Sequence, residues 1–299
     1  MNQERWFFTS LRCPDCGSAL TRIDADAVSC SACARRFPVV DGRPSLKPSP
    51  AQTTALVVAV GQDDQEWPEW SPPPYAFYLG PVPERTNQMH IGILARRGPR
   101  QLDVLDWGCG PAAYRQIVES LGHRYVGIDL EGEGADVLAD AHSLPLASSS
   151  MDHVITNAVL EHVANPFLAV REIARVLRPG GVFSGSVAFL EPSHGRSHFH
   201  VAPDGLLHVL RSAGFRVDGI WPQEGWSVFH SLSSMPSPVT SISRLVLRLL
   251  PRIERTLRAR YLHPRDLRAG RWLRRRSQVT LSAELLSITA QVHFLAAKP

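Results

Sequence analysis

Two groups of residues in this chain have the types and spacing to do chemistry. The first is Asp106, Gly108, Cys109 and Gly110 in LDVLDWGCGP (102–111). Leu102, Val104 and Leu105 alternate as in a short strand ending on Asp106, and AAYRQIVESLG behind the glycines has helical spacing over 112–121. Glycine at a strand-to-helix turn lets a ligand approach the main chain and points helix N-terminal amides at it. A cofactor site is therefore expected here. The second group is Cys13, Cys16, Cys30 and Cys33, two C-x-x-C knuckles separated by 13 residues. Two facing knuckles make a tetrahedral sulfur site, the geometry of structural zinc, with no position open for substrate. Redox pairs or a disulfide staple are the alternatives, and a reducing compartment disfavours both.

Two cofactors compete for the glycine turn. Gly108-x-Gly110-x-x-Ala113 satisfies the dinucleotide fingerprint, and Asp129 stands about 20 residues on, where a ribose ligand belongs. Asp106 discriminates between them. A carboxylate at the strand end repels a pyrophosphate, since unit charges a few Å apart interact by about 4 kcal/mol at an intermediate dielectric. S-adenosylmethionine carries an ammonium and a sulfonium and no phosphate, so an acidic strand end suits it.

The elements that must position these residues alternate. Strands are expected at LDVLD, 124–129, 136–140, 151–157, 181–189 and 215–221, with SITAQVHFLAAKP closing the chain, and helices at 112–121, 165–177 and 204–213. The connection from Asp129 to Asp136 is too short for a full helix. This pattern predicts an α/β fold: a Rossmann-like, doubly wound, seven-stranded and mostly parallel sheet that binds its ligand at the strand C-termini, with a small N-terminal zinc ribbon. The expected organisation is a ribbon over 1–48, a breaker-rich linker over 49–74 and a main domain over 75–299. A short helix is expected at 89–97.

VLDWGCGP, GIDLEG, LADAHSLPLASSSMDHVITNAVLEHVANP, REIARVLRPGG and HVLRSAGF together resemble the class I S-adenosylmethionine-dependent methyltransferases of type 11. The resemblance implies that Asp106, Gly108, Cys109 and Gly110 wrap the methionine end of the cofactor. It implies that Asp129 holds the ribose hydroxyls, that Asp140 accepts from the adenine amino group with Ala141 beside the ring, and that Asn157 faces methionine or substrate. One departure is Ala112, where the family often has a third glycine. Alternative roles are a helix cap for Asp106, a turn acceptor for Asp140 and simple packing for Cys109. ARRFPVVDGRPSL after the second knuckle resembles the Trm112-like zinc ribbons of methyltransferase activators, which implies docking onto a methyltransferase or positioning of its substrate.

An O- or N-nucleophile needs its proton removed by a group with a pKa near neutral. FLEPSHGRSHFHVAP (189–203) offers Glu191, His194, His198 and His200 at the mouth of the fifth strand, and His162 stands in LEHVANP. His198, His200 and His162 are the candidate bases, against substrate binding, surface or packing roles.

Composition bounds the partners. The chain has 299 residues, 20% of them charged, and a net charge of +4. Residues 241–277 hold twelve arginines against Glu254 and Asp266, a net +10, which leaves −6 for the rest. This basic stretch lies in an expected insertion at about 222–282, with Pro251 dividing a Leu-rich pattern. It reads as an amphipathic lid, a peripheral contact with anionic membrane, or an RNA-phosphate site. No signal peptide or membrane span is expected, so a cytoplasmic enzyme is anticipated. Its expected acceptor is a small molecule, a secondary metabolite or glycan-type compound. An RNA methyltransferase and a non-catalytic adaptor are the rival readings.

Overall fold

A computed structural model describes residues 6–22, 26–49, 90, 92–95, 100–191, 195–222, 249 and 291–299. The expected linker beyond Ser49, nearly all of the expected insertion at 222–282, and His194 lie outside the described residues. Residues 90 and 92–95, within the expected helix at 89–97, are helical.

Two sheets organise the chain. β1 (Leu20–Arg22), β2 (Ala27–Cys30), β3 (Arg36–Val40) and β4 (Arg43–Pro44) form an antiparallel sheet in that order. β5 (Asp103–Trp107), β6 (Arg124–Asp129), β7 (Val137–Leu138), β8 (Met151–Asn157), β9 (Leu177–Ala188), β10 (Arg216–Pro222) and β11 (Gln291–Ala297) form the seven-stranded sheet. Its order is β10-β11-β9-β8-β5-β6-β7, and β11 alone runs antiparallel to its neighbours. Three helices lie wholly within the described residues and flank these strands: α1 (Arg115–Ser120), α2 (Pro166–Val176) and α3 (Pro203–Ser212).

Local chemistry sets the boundaries. Asn165 caps α2 by accepting from the Leu168 amide, Pro166 fixes its first turn, and Ala169, Val170, Ile173 and Val176 form its buried face. α1 starts three residues later than its spacing predicts, because Ala112 takes a left-handed φ of 59° and the chain turns before coiling. β9 begins at Leu177, ahead of the expected 181, since Gly180 and Gly181 exchange main-chain bonds with Lys298. No helix joins β6 to β7, as the short connection requires.

The ribbon shares the core of the main sheet. Phe7, Leu11, Cys13, Cys30, Phe37 and Leu46 belong to one apolar cluster with Leu105, Trp107, Ile128 and Leu146. A module of this size buries too little by itself, so docking supplies what its own interior lacks. Main-chain bonds seal the contact: the Leu46 amide donates to the Leu138 carbonyl at 2.7 Å and the Arg12 amide to the Pro145 carbonyl at 2.9 Å. No helix among the described residues is long and apolar enough to cross a membrane.

The opposite face of the sheet holds a buried polar group. Ser184 Oγ lies 2.9 Å from His90 Nδ1 and 2.8 Å from His153 Nε2, a role its one proton and two lone pairs allow. His293 stacks on Trp221. Burial holds His90 well below the ordinary histidine range, with His153 and His293 adding to the effect, and burial takes His293 down to about 4. The folded protein therefore keeps the His90 and His293 rings neutral where the unfolded chain takes up protons. Stability should be lost as pH falls from about 6.5 toward 4, by about 1.4 kcal/mol per pH unit per histidine. Urea unfolding across that range should show the slope, and His293→Phe should make it shallower; an unchanged slope contradicts the assignment.

Candidate functional site

The C-terminal edge of the sheet collects the residues singled out by their spacing. Asp106 sits on β5 opposite Gly127 of β6, Asp129 ends β6, and Asp140 follows β7 by two residues. Asn157 ends β8. The loop after β9 leaves near Ala188 and returns there, where the Val201 amide donates to the Ala188 carbonyl at 2.9 Å.

Asp106 is buried, and Tyr125 Oη donates to its Oδ2 at 2.7 Å. Burial raises its carboxyl to about 7; the Tyr125 bond and Arg115 pull it down, and Asp129 pushes it up. Tyr125 reaches it by crossing Gly127, where an added Cβ would meet the Tyr125 oxygen and Cys109 Sγ at 2.9 Å each. The Arg115 guanidinium stacks on Tyr125 and donates to Asp136 at 2.8 Å. Asp136 in turn accepts from the Gly127 amide at 2.8 Å. This brace of Tyr125, Arg115 and Asp136 escaped the sequence reading. Gly127 inside a strand was its only signal, a mark of close approach by another group.

The glycine turn is held by its own amides. Those of Gly108 and Cys109 donate to the Ile128 carbonyl at 2.8 and 3.2 Å. The Gly110 amide donates to Asp129 Oδ2 at 2.9 Å, and the amides of Glu131 and Gly132 to Oδ1 at 3.0 and 2.8 Å. A carboxylate has about four acceptor positions, so Asp129 keeps about one for a further donor. Gly108 packs on Val159, whose Cγ2 lies 2.3 Å from where its Cβ would be; beside Gly110 the same construction meets nothing within 4 Å. That open flank, backed by buried acid, fits a cationic cofactor that touches main chain. Cys109 packs against Ala135 and Leu138, and burial pushes its thiol up to about 12, the state of a packing residue.

Asp140 is already engaged. Its Oδ1 accepts from the His142 amide at 2.8 Å and lies 2.6 Å from His142 Nδ1. Because His142 Nε2 accepts from the Asn165 amide at 3.0 Å, the ring proton sits on Nδ1 and donates to Asp140. Burial works against the Asp140 charge, but these bonds outweigh it and hold the carboxyl below its ordinary value. Asp140 thus holds its turn through Oδ1, with Ala141 packed beside it on the main core. His142 was missed, although D-x-H is a visible turn pattern.

At the other side of the mouth, exposed Asn157 accepts from buried Ser186 Oγ at 2.6 Å, which turns its amide nitrogen outward. His198 and His200 are exposed on either side of exposed Phe199, and the Glu161 carbonyl accepts from the amides of His198 and Phe199 at 2.7 and 3.2 Å. His162 is half-buried and its Nδ1 lies 3.1 Å from the Arg196 carbonyl. It ties the loop after β9 to the short turn Leu160–His162 that follows β8.

In the ribbon the four cysteine sulfurs lie within 4.8 Å of one another, Cys13 to Cys33 at 3.8 Å and Cys16 to Cys30 at 3.4 Å. A tetrahedral zinc with bonds of about 2.3 Å separates its sulfurs by about 3.8 Å, so this cluster could hold zinc. The amides of Ala32 and Cys33 point at Cys30 Sγ, as a thiolate acceptor requires.

Residues 105–184 match the family model described as a methyltransferase domain. Over these residues the chain resembles a methyltransferase domain. S-adenosylmethionine is the cofactor of such domains, and the match spans Asp106, Asp129, Asp140 and Asn157 but neither the ribbon nor His198 and His200. An uncharacterised methyltransferase of Mycolicibacterium gilvum is 36% identical over 96 residues, 28% of this chain and 38% of that protein. A probable S-adenosylmethionine-dependent methyltransferase of Mycolicibacterium smegmatis is 33% identical over 138 residues, 39% of this chain and 52% of that one. An uncharacterised methyltransferase of Mycobacterium ulcerans is 31% identical over 159 residues, 48% and 60% of the two. The chain thus spans less than two thirds of the length of each of these relatives.

Two measurements follow from this geometry. Asp106 attracts a cation only when ionised, so binding of S-adenosylhomocysteine, which keeps the ammonium, should weaken as pH falls through about 7 and approach tenfold per unit below it. Tyr125→Phe removes a bond that favours the charged form, so the midpoint should move to higher pH in calorimetric titrations. A midpoint that stays put refutes the brace. For the ribbon, elemental analysis should find about one zinc per chain. Cys30→Ser should release it and lower the thermal midpoint of the whole protein, because Cys30 lies in the shared core; a metal-free chain with unaltered unfolding rules this out.

Proposed function

We propose that the chain transfers a methyl group from S-adenosylmethionine to an O- or N-nucleophile of a small acceptor, a secondary metabolite or glycan-type compound. The observation that carries this reading is the row of carboxylates Asp106, Asp129 and Asp140 at the ends of three adjacent strands, beside a glycine turn with an open flank. Asp106 takes the ammonium, Gly108, Cys109 and Gly110 supply main chain along the methionine end, and Asp129 accepts from the ribose. Asp140 and Ala141 border the adenine. When bound, the cofactor supplies a methyl on a sulfonium, a carbon already activated for in-line displacement. What remains for the protein is alignment and exclusion of water.

The acceptor side is assigned to the loop at the end of β9. His198 and His200 are the proposed bases, Phe199 between them offers an apolar face, and Asn157 presents an amide donor opposite. His162 acts there through its bond to the Arg196 carbonyl. An imidazole and phenyl wall supports a compact acceptor with an ionisable nucleophile. The Trm112-like ribbon, with zinc on Cys13, Cys16, Cys30 and Cys33, is assigned a structural role, and the arginine-rich stretch 241–277 that of a lid. A cytoplasmic setting is part of the same reading.

Calorimetry should detect micromolar binding of S-adenosylhomocysteine that Asp129→Ala reduces at least tenfold. Acceptor screening with labelled donor should then favour small molecules, with His198→Ala and His200→Ala lowering turnover more than donor binding. A salt-sensitive RNA complex lost on replacing Arg248, Arg252 and Arg255 by Gln would move the acceptor to RNA. Binding to anionic vesicles that needs Leu247 and Leu250 would move it to the membrane surface. A folded chain with no donor binding would make it an adaptor.

A further inference from the structure

Arg43 carries the ribbon to the cofactor edge. Asp41 and Gly42 both take positive φ, 51° and 74°, in the tight turn before β4, and Arg43 comes directly after them. Its Nη1 donates to the Gly132 carbonyl at 3.0 Å and the Glu133 carbonyl at 3.1 Å. Nη2 lies 3.4 Å from Asp41 Oδ2. The segment it grips is the trimmed crossover between β6 and β7, which has no helix of its own to hold it. That segment is interlocked with the glycine turn. The Gly134 amide donates to the Gly110 carbonyl at 2.9 Å, and the Gly132 amide donates to Asp129 Oδ1 at 2.8 Å. Added Cβ atoms at Gly132 and Gly134 would come within 2.8 Å of Gly110 O and 2.4 Å of the Pro111 carbonyl carbon. Main chain thus touches main chain on both sides.

We propose that Arg43 is a positioning residue for the cofactor site: by clamping the Gly132 and Glu133 carbonyls it holds residues 130–134 on the glycine turn and keeps the Asp129 carboxylate oriented. The inference rests on the reading of Asp129 as a ribose acceptor. A guanidinium suits the task, since one rigid fork serves two carbonyls and stays charged at every working pH. The ribbon then has a use beyond stability: it completes a loop that the main domain leaves without a helix.

The test uses the full chain carrying Arg43→Gln or Arg43→Lys, with S-adenosylhomocysteine as the probe. Arg43→Gln should weaken binding about tenfold, as loss of charge-assisted bonds does, while zinc content stays at the wild-type value. Arg43→Lys should recover part of the loss. Amide hydrogen exchange without ligand should quicken at Gly110, Glu131, Gly132 and Gly134 in the Gln variant, and not in the ribbon knuckles. Equal affinity and equal exchange in wild type and Arg43→Gln overturn the inference, as does a loss that only tracks zinc release. Wild-type protein that folds and binds no S-adenosylhomocysteine removes the proposed function itself, and the inference with it.

Discussion

The Asp129 carboxylate is where the site is tied together. It accepts amides from the glycine turn after β5 and from the short crossover after β6, two segments about 20 residues apart in the chain. A carboxylate accepting several main-chain N–H groups satisfies donors that a turn near the sheet edge would otherwise leave unpaired. Both loops are then pinned at the same point, and the parallel register of β5 with β6 decides that they meet at all.

Two braces flank that point. One passes inward through Asp106, Tyr125, Arg115 and Asp136, and it exists because Gly127 has no side chain to block the tyrosine. Burying an acid among these groups costs free energy, visible as a carboxyl raised to about 7, and such cost concentrates where charge is needed. The other passes outward to the ribbon, which seals the β7 edge through Leu46 and closes on the crossover through Arg43. An edge strand of two residues is a weak boundary, and covering it is a recurrent remedy.

Much of this was legible from local pattern. The strands at 124–129 and 151–157 lie as the alternation places them, and the cysteine knuckles meet as their spacing demands. Both depend on chemistry within a few residues: short apolar runs for parallel strands buried on both faces, and a tight turn for each knuckle. The late start of α1 was not legible, because the left-handed alanine at 112 that delays it packs closely on Gly134, which the chain meets 22 residues later. A turn-acceptor role for Asp140 was legible; its pairing with His142 was not. That pairing orients the ring toward the Asn165 amide.

The sequence by itself determined the alternation of elements, the acidic strand ends, the glycine turn and the four-thiol site, because each is specified by neighbours in the chain. Only the tertiary structure decided how those acids are spent. Tyr125 on Asp106, Arg115 on Asp136 and Arg43 on the crossover are contacts across strands and between sheets. Each depends on a register or a packed distance, and the strength of a charge in a protein depends on what is packed around it rather than on its position in the chain.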